Sequence, residues 1–249
     1  MRVVRVNTGD DARYGLADEG SITLISDEPF AAWEPEDVVA LAGANLMPPV
    51  MPTKIVCVGI NYRAHAKEMG HKLPREPVIF LKPPTAMNGP HGDIHAPQGV
   101  GRIDYEGELA VVIGRRTHMV TPQEAGAHIL GYTCANDVTA RDVQSIDGQW
   151  SRAKGYDGFC PVGPWVETDV EPFDLLLQTF LNGQLVQEAR TSDMVFDPHT
   201  LVSFISGVMT LLPGDIVLTG TPSGIGPMQP GDFVEVKIEG IGSLVNRLV

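Results

Sequence analysis

The chain has 249 residues and carries 18 Lys and Arg against 31 Asp and Glu, a formal charge of −13. A chain this acidic, with no basic tract, is a poor partner for nucleic acid, which is bound by neutralising phosphates, and for an anionic membrane. Glycine and proline are abundant (27 and 20 residues) but stay below the roughly 25–30% that marks disorder, and 43% of residues are hydrophobic, so the composition is that of a folded, turn-rich protein.

Along the chain, residues 1–46 read as a small β-rich unit: RVVRVN and SITLIS are strand-like and separated by Gly/Asp turns, and PEDVVALAG (35–43) reads as a short helix. The start, MRVVRVNTGDD, has no apolar stretch of signal-peptide length, and no run approaches the ~18 apolar residues of a membrane span, so a cytoplasmic protein is expected. MPPVMPT (47–53) packs three prolines into seven residues and reads as a linker. A larger domain, residues 54–249, follows. KIVCVGIN (54–61) and PVIFLKP (77–83) read as strands flanking a short helix, YRAHAKEM, that ends at Gly70. DYEGELAVVIG (104–114) reads as one strand. TPQEAGAHILG (121–131) opens as a helix, with Thr121 as cap, Pro122 first and Glu124 completing a capping box. GYTCAND (131–137) returns as a strand, and LLLQTFLNGQLVQEAR (175–190) is a hairpin turning on Asn182-Gly183. HTLVSFISGVMTLL has helical spacing, and DIVLTG and DFVEVKIEG are strands. Strands outnumber helices without a regular βαβ alternation, which points to an α+β, β-dominated fold. Cys57, Cys134 and Cys160 are an odd number without a CxxC pair and are expected as buried free thiols.

Charge is uneven. Residues 51–100 hold six basic and three acidic side chains, while every other block of fifty is net acidic. Lys54, Arg63, Lys67, Lys72, Arg75 and Lys82 could form a solvated basic face or attract a small anion.

The chemistry-bearing residues follow. Glu106 and Glu108 are two apart, and on a strand they share a face. Side by side they repel unless a cation lies between them, so they suit a hard divalent ion, although edge charges facing solvent would read the same. Asp137, at the end of an apolar strand, could add a third carboxylate or simply cap the helix begun by TARDVQ. An oxygen-only set suits Mg²⁺ or Mn²⁺ rather than Zn²⁺. His65 and Glu68 share a helix face, where a carboxylate raises the basicity of the imidazole; a casual surface contact has the same spacing. Lys154, between glycines in AKGYDG, is a surface lysine or a cation for a substrate carboxylate held in a tight turn. Arg141 and Gln144 would lie beside Asp137 if TARDVQ is helical. TGTPSGIG (219–226) lacks GK[ST] and reads as a loop offering backbone N–H groups and the Thr221 hydroxyl to an anion. His91 and His95, set among Pro and Gly, read as a surface turn.

Together, CVGINYRAHAKEMG, FLKPPTAMNGP, DYEGELAVVIG, GYTCANDVTARDVQ, KGYDGFCPVGPWV, LNGQLVQ and VLTGTPSGIGPMQPGD resemble, in that order and over roughly residues 54–240, the fumarylacetoacetate hydrolase family. The resemblance implies a mixed β-sheet roll, here with a small N-terminal unit, assembled as a homodimer. It implies that Glu106, Glu108 and Asp137 hold Mg²⁺ or Mn²⁺, and that His65 and Glu68 activate water from a segment that closes as a lid. Lys154, Lys82, Arg141, Gln144 and Thr221 match positions around a bound oxo acid. Some members supply a fourth carboxylate near Asn61; this chain has none there, so three protein ligands are expected.

The reaction these residues imply is cleavage of a small anionic 2-oxo acid of the acylpyruvate type through a metal-held enolate, with Lys154 and Arg141 balancing carboxylate charge. Oxaloacetate decarboxylation and isomerisation of a 2-hydroxyhepta-2,4-diene-1,7-dioate pass through the same enolate and remain alternatives. A non-catalytic oxo-acid-binding module is the rival of another class; it would need no base.

Overall fold

The fold is seen in a computed structural model that describes every residue except Asp10. Three sheets carry it. The largest has ten strands along its path: Pro35–Ala40, Ser21–Ile25, Ala12–Asp18, Arg2–Asn7, Cys160–Glu167, Ile129–Asn136, Gly107–Ile113, Ile216–Leu218, Ile55–Gly59 and Val78–Lys82. Two short strands, Asn45–Leu46 and Met87–Asn88, pair off this path. A five-stranded sheet combines the hairpin Leu176–Leu181/Gln184–Arg190 with Phe233–Ile238, Gly242–Leu248 and Asp93–Ile94. A small third sheet is made of Thr139–Ala140, Ile103–Tyr105 and Gly226–Met228. This is the mixed, β-dominated fold expected from the sequence.

The apolar run LAVVIG explains why the large sheet is central. Its side chains alternate between two cores. Leu109, Val111 and Ile113 face one core, with Leu177, Leu201 and Val236. Ala110 and Val112 face another, with Val3, Ile55, Val162 and Ile216. The first core is covered by the helix Pro198–Val208, whose cap, Asp197, accepts the His199 and Thr200 N–H groups at 2.9 and 3.0 Å. At the hairpin tip Asn182 and Gly183 have φ of 51° and 80°, the two left-handed residues a type I′ turn requires. All three cysteines are free and buried, as expected.

Two local expectations fail. PEDVVALAG is not a helix: Pro35–Ala40 is an edge strand paired with Ser21–Ile25. The β-branched pair Val38-Val39 favours extended backbone, and proline is tolerated as the first residue of an edge strand. DYEGELAVVIG is not one strand. It breaks at Glu106, between Ile103–Tyr105 in the small sheet and Gly107–Ile113 in the large one.

The N-terminal β unit continues the large sheet, with Arg2 opposite Glu167 and Val3 opposite Val166. The Pro-rich stretch after it is tied down at both ends. Met47 N–H donates to Arg5 O at 2.8 Å, and the Thr53 and Lys54 N–H groups donate to Asp215 Oδ1 at 2.9 and 3.1 Å. No helix among the described residues is long and apolar enough to cross a membrane.

Candidate active site

The chain passes between the large and small sheets at four places: three of them meet at the site, and the other, residues 141–159, carries Arg141 and Lys154. Of the three, residue 106 is the first, Asp137-Val138 the second, and the loop 219–225 the third. The first two are stitched together. Asp137 N–H donates to Glu106 O at 2.9 Å, and Glu106 N–H donates to Asn136 Oδ1 at 2.9 Å. Glu106 thus lies opposite Asp137, one pair beyond Gly107 and Asn136, and with Glu108 two residues on from Glu106 the three acids converge. All three are buried, and their oxygens lie within 4.8 Å of one another; among the described residues no other group of three metal-binding side chains forms. Asp137 does not cap a helix, because the helix after it begins only at Arg141.

The three carboxylates are neutralised unequally. Lys154 Nζ donates to Glu106 Oε2 at 2.9 Å, Asp137 Oδ2 at 2.6 Å and Thr139 Oγ1 at 2.8 Å. Arg141 Nη2 donates to Glu106 Oε1 at 2.6 Å, and Lys82 Nζ to Asp137 Oδ1 at 2.5 Å. Glu108 has no cationic partner; it accepts one N–H, from Gly220, at 2.6 Å. Their acidities diverge accordingly. Burial opposes ionisation of Glu106, but the charges and hydrogen bonds of Lys154 and Arg141 outweigh it and hold its carboxyl at about 2. Burial, and then the charges of Asp137 and Glu106, push the Glu108 carboxyl well above the ordinary glutamate value. Burial also works against the Lys154 ammonium, yet Asp137 and Glu106 keep its pKa above that of an ordinary lysine. An oxygen-only donor set with one uncompensated carboxylate fits a hard divalent cation, which would supply the missing charge.

The helix Arg63–Glu68 sets the dyad beside this cluster. His65 Nδ1 is hydrogen-bonded to Glu68 Oε2 at 3.0 Å, and Glu68 Oε1 accepts the Gly224 N–H at 2.9 Å. One carboxylate thus orients the imidazole and fastens the helix to the loop 219–225. Two of that loop's N–H groups donate to the protein's own acids, Gly220 to Glu108 and Gly224 to Glu68. The Thr221 hydroxyl donates to Gly107 O at 2.9 Å and accepts from Gln187 Nε2 at 2.9 Å. Before the helix, Ile60 has φ of 58°, an uncommon conformation for a β-branched residue. Asn61 follows, bonded through its amide to Phe196 O, Thr219 O and Phe196 N–H.

A cavity of about 290 Å³ is lined by His65, the three carboxylates, Arg141, Gln144, Lys154 and Thr221. Two candidates do not line it: Glu68, which reaches it only through His65, and Lys82. Lys82 is 1% exposed, bonds to Asp137 and also donates to Phe159 O at 2.7 Å. Lys154 ends the short helix Ser151–Lys154 rather than a tight turn, and its three donors are used by protein oxygens. Of the positive block, Lys54 and Lys82 are paired internally, and Arg63, Lys67, Lys72 and Arg75 stay exposed on the dyad helix and the segment after it.

Four contributors are not singled out by a reading of the sequence. Asp104 is fully buried and accepts Arg141 Nε at 2.9 Å and Arg102 through both its oxygens, fixing Arg141. Gln187 accepts the Gly107 N–H at 3.0 Å and ties the glutamate strand to Thr221. Phe80 and Trp150 wall the cavity. Phe80, Asp104 and Gln187 lie in the stretches FLKPPTAMNGP, DYEGELAVVIG and LNGQLVQ, and Trp150 lies in none of them.

A roll of mixed sheets in which three buried carboxylates that could hold a divalent metal share a cavity with a carboxylate-bonded histidine has the make-up of an enzyme site. The family model described as fumarylacetoacetate (FAA) hydrolase C-terminal matches residues 54–249, and one described as Rv2993c-like, N-terminal, matches residues 1–49. The chain belongs to the fumarylacetoacetate hydrolase family. It is similar to Protein Rv2993c of Mycobacterium tuberculosis, 47% identical over 266 residues and covering 100% of this chain and 98% of that protein. It is also similar to the mitochondrial oxaloacetate tautomerase FAHD2B of Bos taurus, 41% identical over 82% of this chain and 69% of that protein. Among solved structures it resembles 5-carboxymethyl-2-hydroxymuconate delta-isomerase from Mycobacterium smegmatis, with a TM-score of 0.94, 45% identity and coverage of 100% and 99%. The 2-hydroxyhepta-2,4-diene-1,7-dioate isomerase from Mycobacterium marinum gives 0.93, 46%, 100% and 98%. Maleylpyruvate hydrolase from Sphingobium sp. SYK-6, in complex with manganese(II) and pyruvate, gives 0.82, 29%, 100% and 99%. Relatives of this chain are therefore enzymes that include a hydrolase, isomerases and a tautomerase.

Proposed function

We propose that this chain is a divalent-metal-dependent enzyme that hydrolyses the C–C bond of a small acylpyruvate-type 2,4-dioxo acid. The observation that carries the reading is that His65, hydrogen-bonded to Glu68, opens on the same cavity as Glu106, Glu108 and Asp137. Those three carboxylates would hold Mg²⁺ or Mn²⁺; the manganese and pyruvate in the related maleylpyruvate hydrolase support that choice of ion and of substrate class. When bound, the ion supplies Lewis acidity to the oxygens of the oxo acid.

The chain's own residues do the rest. Glu68 engages His65 Nδ1, which leaves Nε2 to take a proton from water. The hydroxide adds to the C4 carbonyl and the C3–C4 bond breaks. This yields a carboxylic acid and the enolate of pyruvate, and the imidazolium returns its proton to C3. Lys154 and Lys82 pair with Asp137, and Lys154 and Arg141 pair with Glu106 and favour its ionised form. Arg141 and Gln144 face the cavity where the substrate carboxylate would bind. The working unit is a homodimer in the cytoplasm, and light scattering of the purified protein tests the oligomeric part.

A second reading moves a proton without adding water, as in isomerisation of a 2-hydroxy-dienoate or turnover of oxaloacetate. The names of the two solved structures at 45% and 46% identity and of the bovine tautomerase favour it. A panel of acetylpyruvate, oxaloacetate and 2-hydroxyhepta-2,4-diene-1,7-dioate, assayed with Mn²⁺ and with Mg²⁺, separates the two. Hydrolysis requires one oxygen from H₂¹⁸O in the released acid; turnover of the dienoate alone rejects the hydrolase reading. No turnover of any member, with metal and oxo acid still bound, returns the chain to a binding module.

A further inference from the structure

Nothing in the chemistry above uses the aromatic wall of the cavity. Phe80 and Trp150 meet edge to face, with centroids 5.0 Å apart and planes at 79°. Lys154 Nζ lies 5.2 Å from the Phe80 centroid, so the carboxylates, the ammonium, the phenyl ring and the indole are in contact in that order. Trp150 immediately precedes the short helix that carries Lys154, and its carbonyl accepts the Lys154 N–H at 3.0 Å. The indole is seated on Gly59: a Cβ there would stand 2.6 Å from Cζ3 and 2.8 Å from Cη2. Glycine is therefore what lets the ring lie against the end of the strand Ile55–Gly59.

The same two rings line a second space. A groove of about 530 Å³, bordered also by Val78, Leu81, Gln149, Ser151 and Met209, shares them with the cavity. The cavity, at about 290 Å³, is at the small end of the range for ligand sites. Phe80 and Trp150 are the two residues common to the linings of the small cavity and the larger groove.

We propose that Trp150 is the specificity-determining residue of this site, closing the cavity so that it takes a 2-oxo acid whose distal substituent is short and apolar. This rests on the 2-oxo acid chemistry proposed above. A longer tail meets the indole. A tail ending in a carboxylate meets apolar rings, because Lys154, the cation beside Phe80, is already bonded to Glu106 and Asp137.

The test is calorimetric binding of N-substituted oxamates to the Mn²⁺-loaded protein, since these mimic 2-oxo acids and are not turned over. In the wild type, affinity rises from N-methyl to N-propyl by up to about fourfold per buried methylene (about 0.8 kcal/mol). It then falls roughly tenfold at N-hexyl, and N-(2-carboxyethyl)oxamate binds roughly tenfold more weakly than N-propyl. In Trp150→Ala the cavity joins the groove, and N-hexyl binds at least as well as N-propyl. Trp150→Phe keeps an aromatic ring and guards against a folding defect; there the N-hexyl penalty shrinks severalfold. The proposal is overturned if the tail ranking is the same in wild type and both variants, or if the carboxylate tail binds the wild type as tightly as propyl. Unsubstituted oxamate separates the two levels of argument. If it fails to bind, the 2-oxo acid reading falls and this inference with it; if it binds and the tails make no difference, only this inference falls.

Discussion

Replacing Glu108 by glutamine should stabilise the metal-free protein, and the same change at Glu106 should destabilise it. Oxygens of the three acids lie within 4.8 Å of one another, where like charges repel by about 3 kcal/mol per pair at an effective dielectric of about 20. Lys154, Lys82 and Arg141 offset this for Glu106 and Asp137 but make no bond to Glu108. Glu108→Gln keeps an acceptor for the Gly220 N–H and removes the uncompensated charge, a gain on the order of 1 kcal/mol. Glu106→Gln leaves Arg141 and Lys154 short of a charged acceptor, a loss of about 3–5 kcal/mol. In EDTA near neutral pH, Tm should rise by roughly 2–4 °C in the first variant and fall by roughly 10 °C in the second.

The pH dependence has opposite signs at the two sites. The Glu108 carboxyl is raised on folding, so its contribution is present below the ordinary carboxyl value and lost as pH rises through the folded value; the advantage of Glu108→Gln should grow with pH. The Glu106 carboxyl is depressed, so its contribution is present above the ordinary value and lost as pH falls toward about 2. Adding Mn²⁺ should stabilise the wild type by mass action and Glu108→Gln far less, which inverts their order. Thermal unfolding followed by circular dichroism, with and without metal, reads all of this. A Glu108→Gln protein less stable than wild type in EDTA would refute the claim that this carboxylate lacks compensation.

His65→Ala should lower turnover by about 10²–10⁴-fold while calorimetry shows Mn²⁺ affinity little changed, since His65 bonds to Glu68 and not to the carboxylate cluster. Asn61→Ala breaks three hydrogen bonds that join the dyad segment to Phe196 and Thr219; urea unfolding should show a loss of about 2–3 kcal/mol. Gly107→Ala would drive a methyl group into Thr179 Oγ1 and against Gln187 and Val236, costing on the order of 3 kcal/mol in the same assay. Thr179→Ala in the same chain should recover part of that loss, because the Thr179 hydroxyl is buried without a partner.

Much of the site was legible because its spacing is local. His65 and Glu68 lie one helical turn apart, and the bond between them needs only the helix. Glu106 and Glu108 come together as their spacing predicts, although the strand ends between Tyr105 and Gly107; the spacing does not give Asp137, which is set opposite Glu106 where the chain crosses between sheets. Gly107, between the two glutamates, lies close against Thr179 and Gln187, where a Cβ would not fit. Lys82 shows the opposite failure. A basic residue after an apolar strand suggests a hand for an anion, but its partner is Asp137, 55 residues away.

What the sequence by itself determined is the material of the site and the class of fold. The oxygen-only acids, the histidine–glutamate spacing, the Asn-Gly turn and the doubly apolar run LAVVIG are set by residue type and short-range geometry. The tertiary structure alone decided how charge is shared. Asp104 reaches Arg141 across 37 positions, Lys154 reaches Glu106 across 48, and Gln187 reaches Gly107 across 80. It also set Trp150 on Gly59 as the wall of the cavity. The ionisation of a buried acid depends on which cations are packed within a few ångströms of it, and that distance comes from the meeting of sheets, not from separation along the chain.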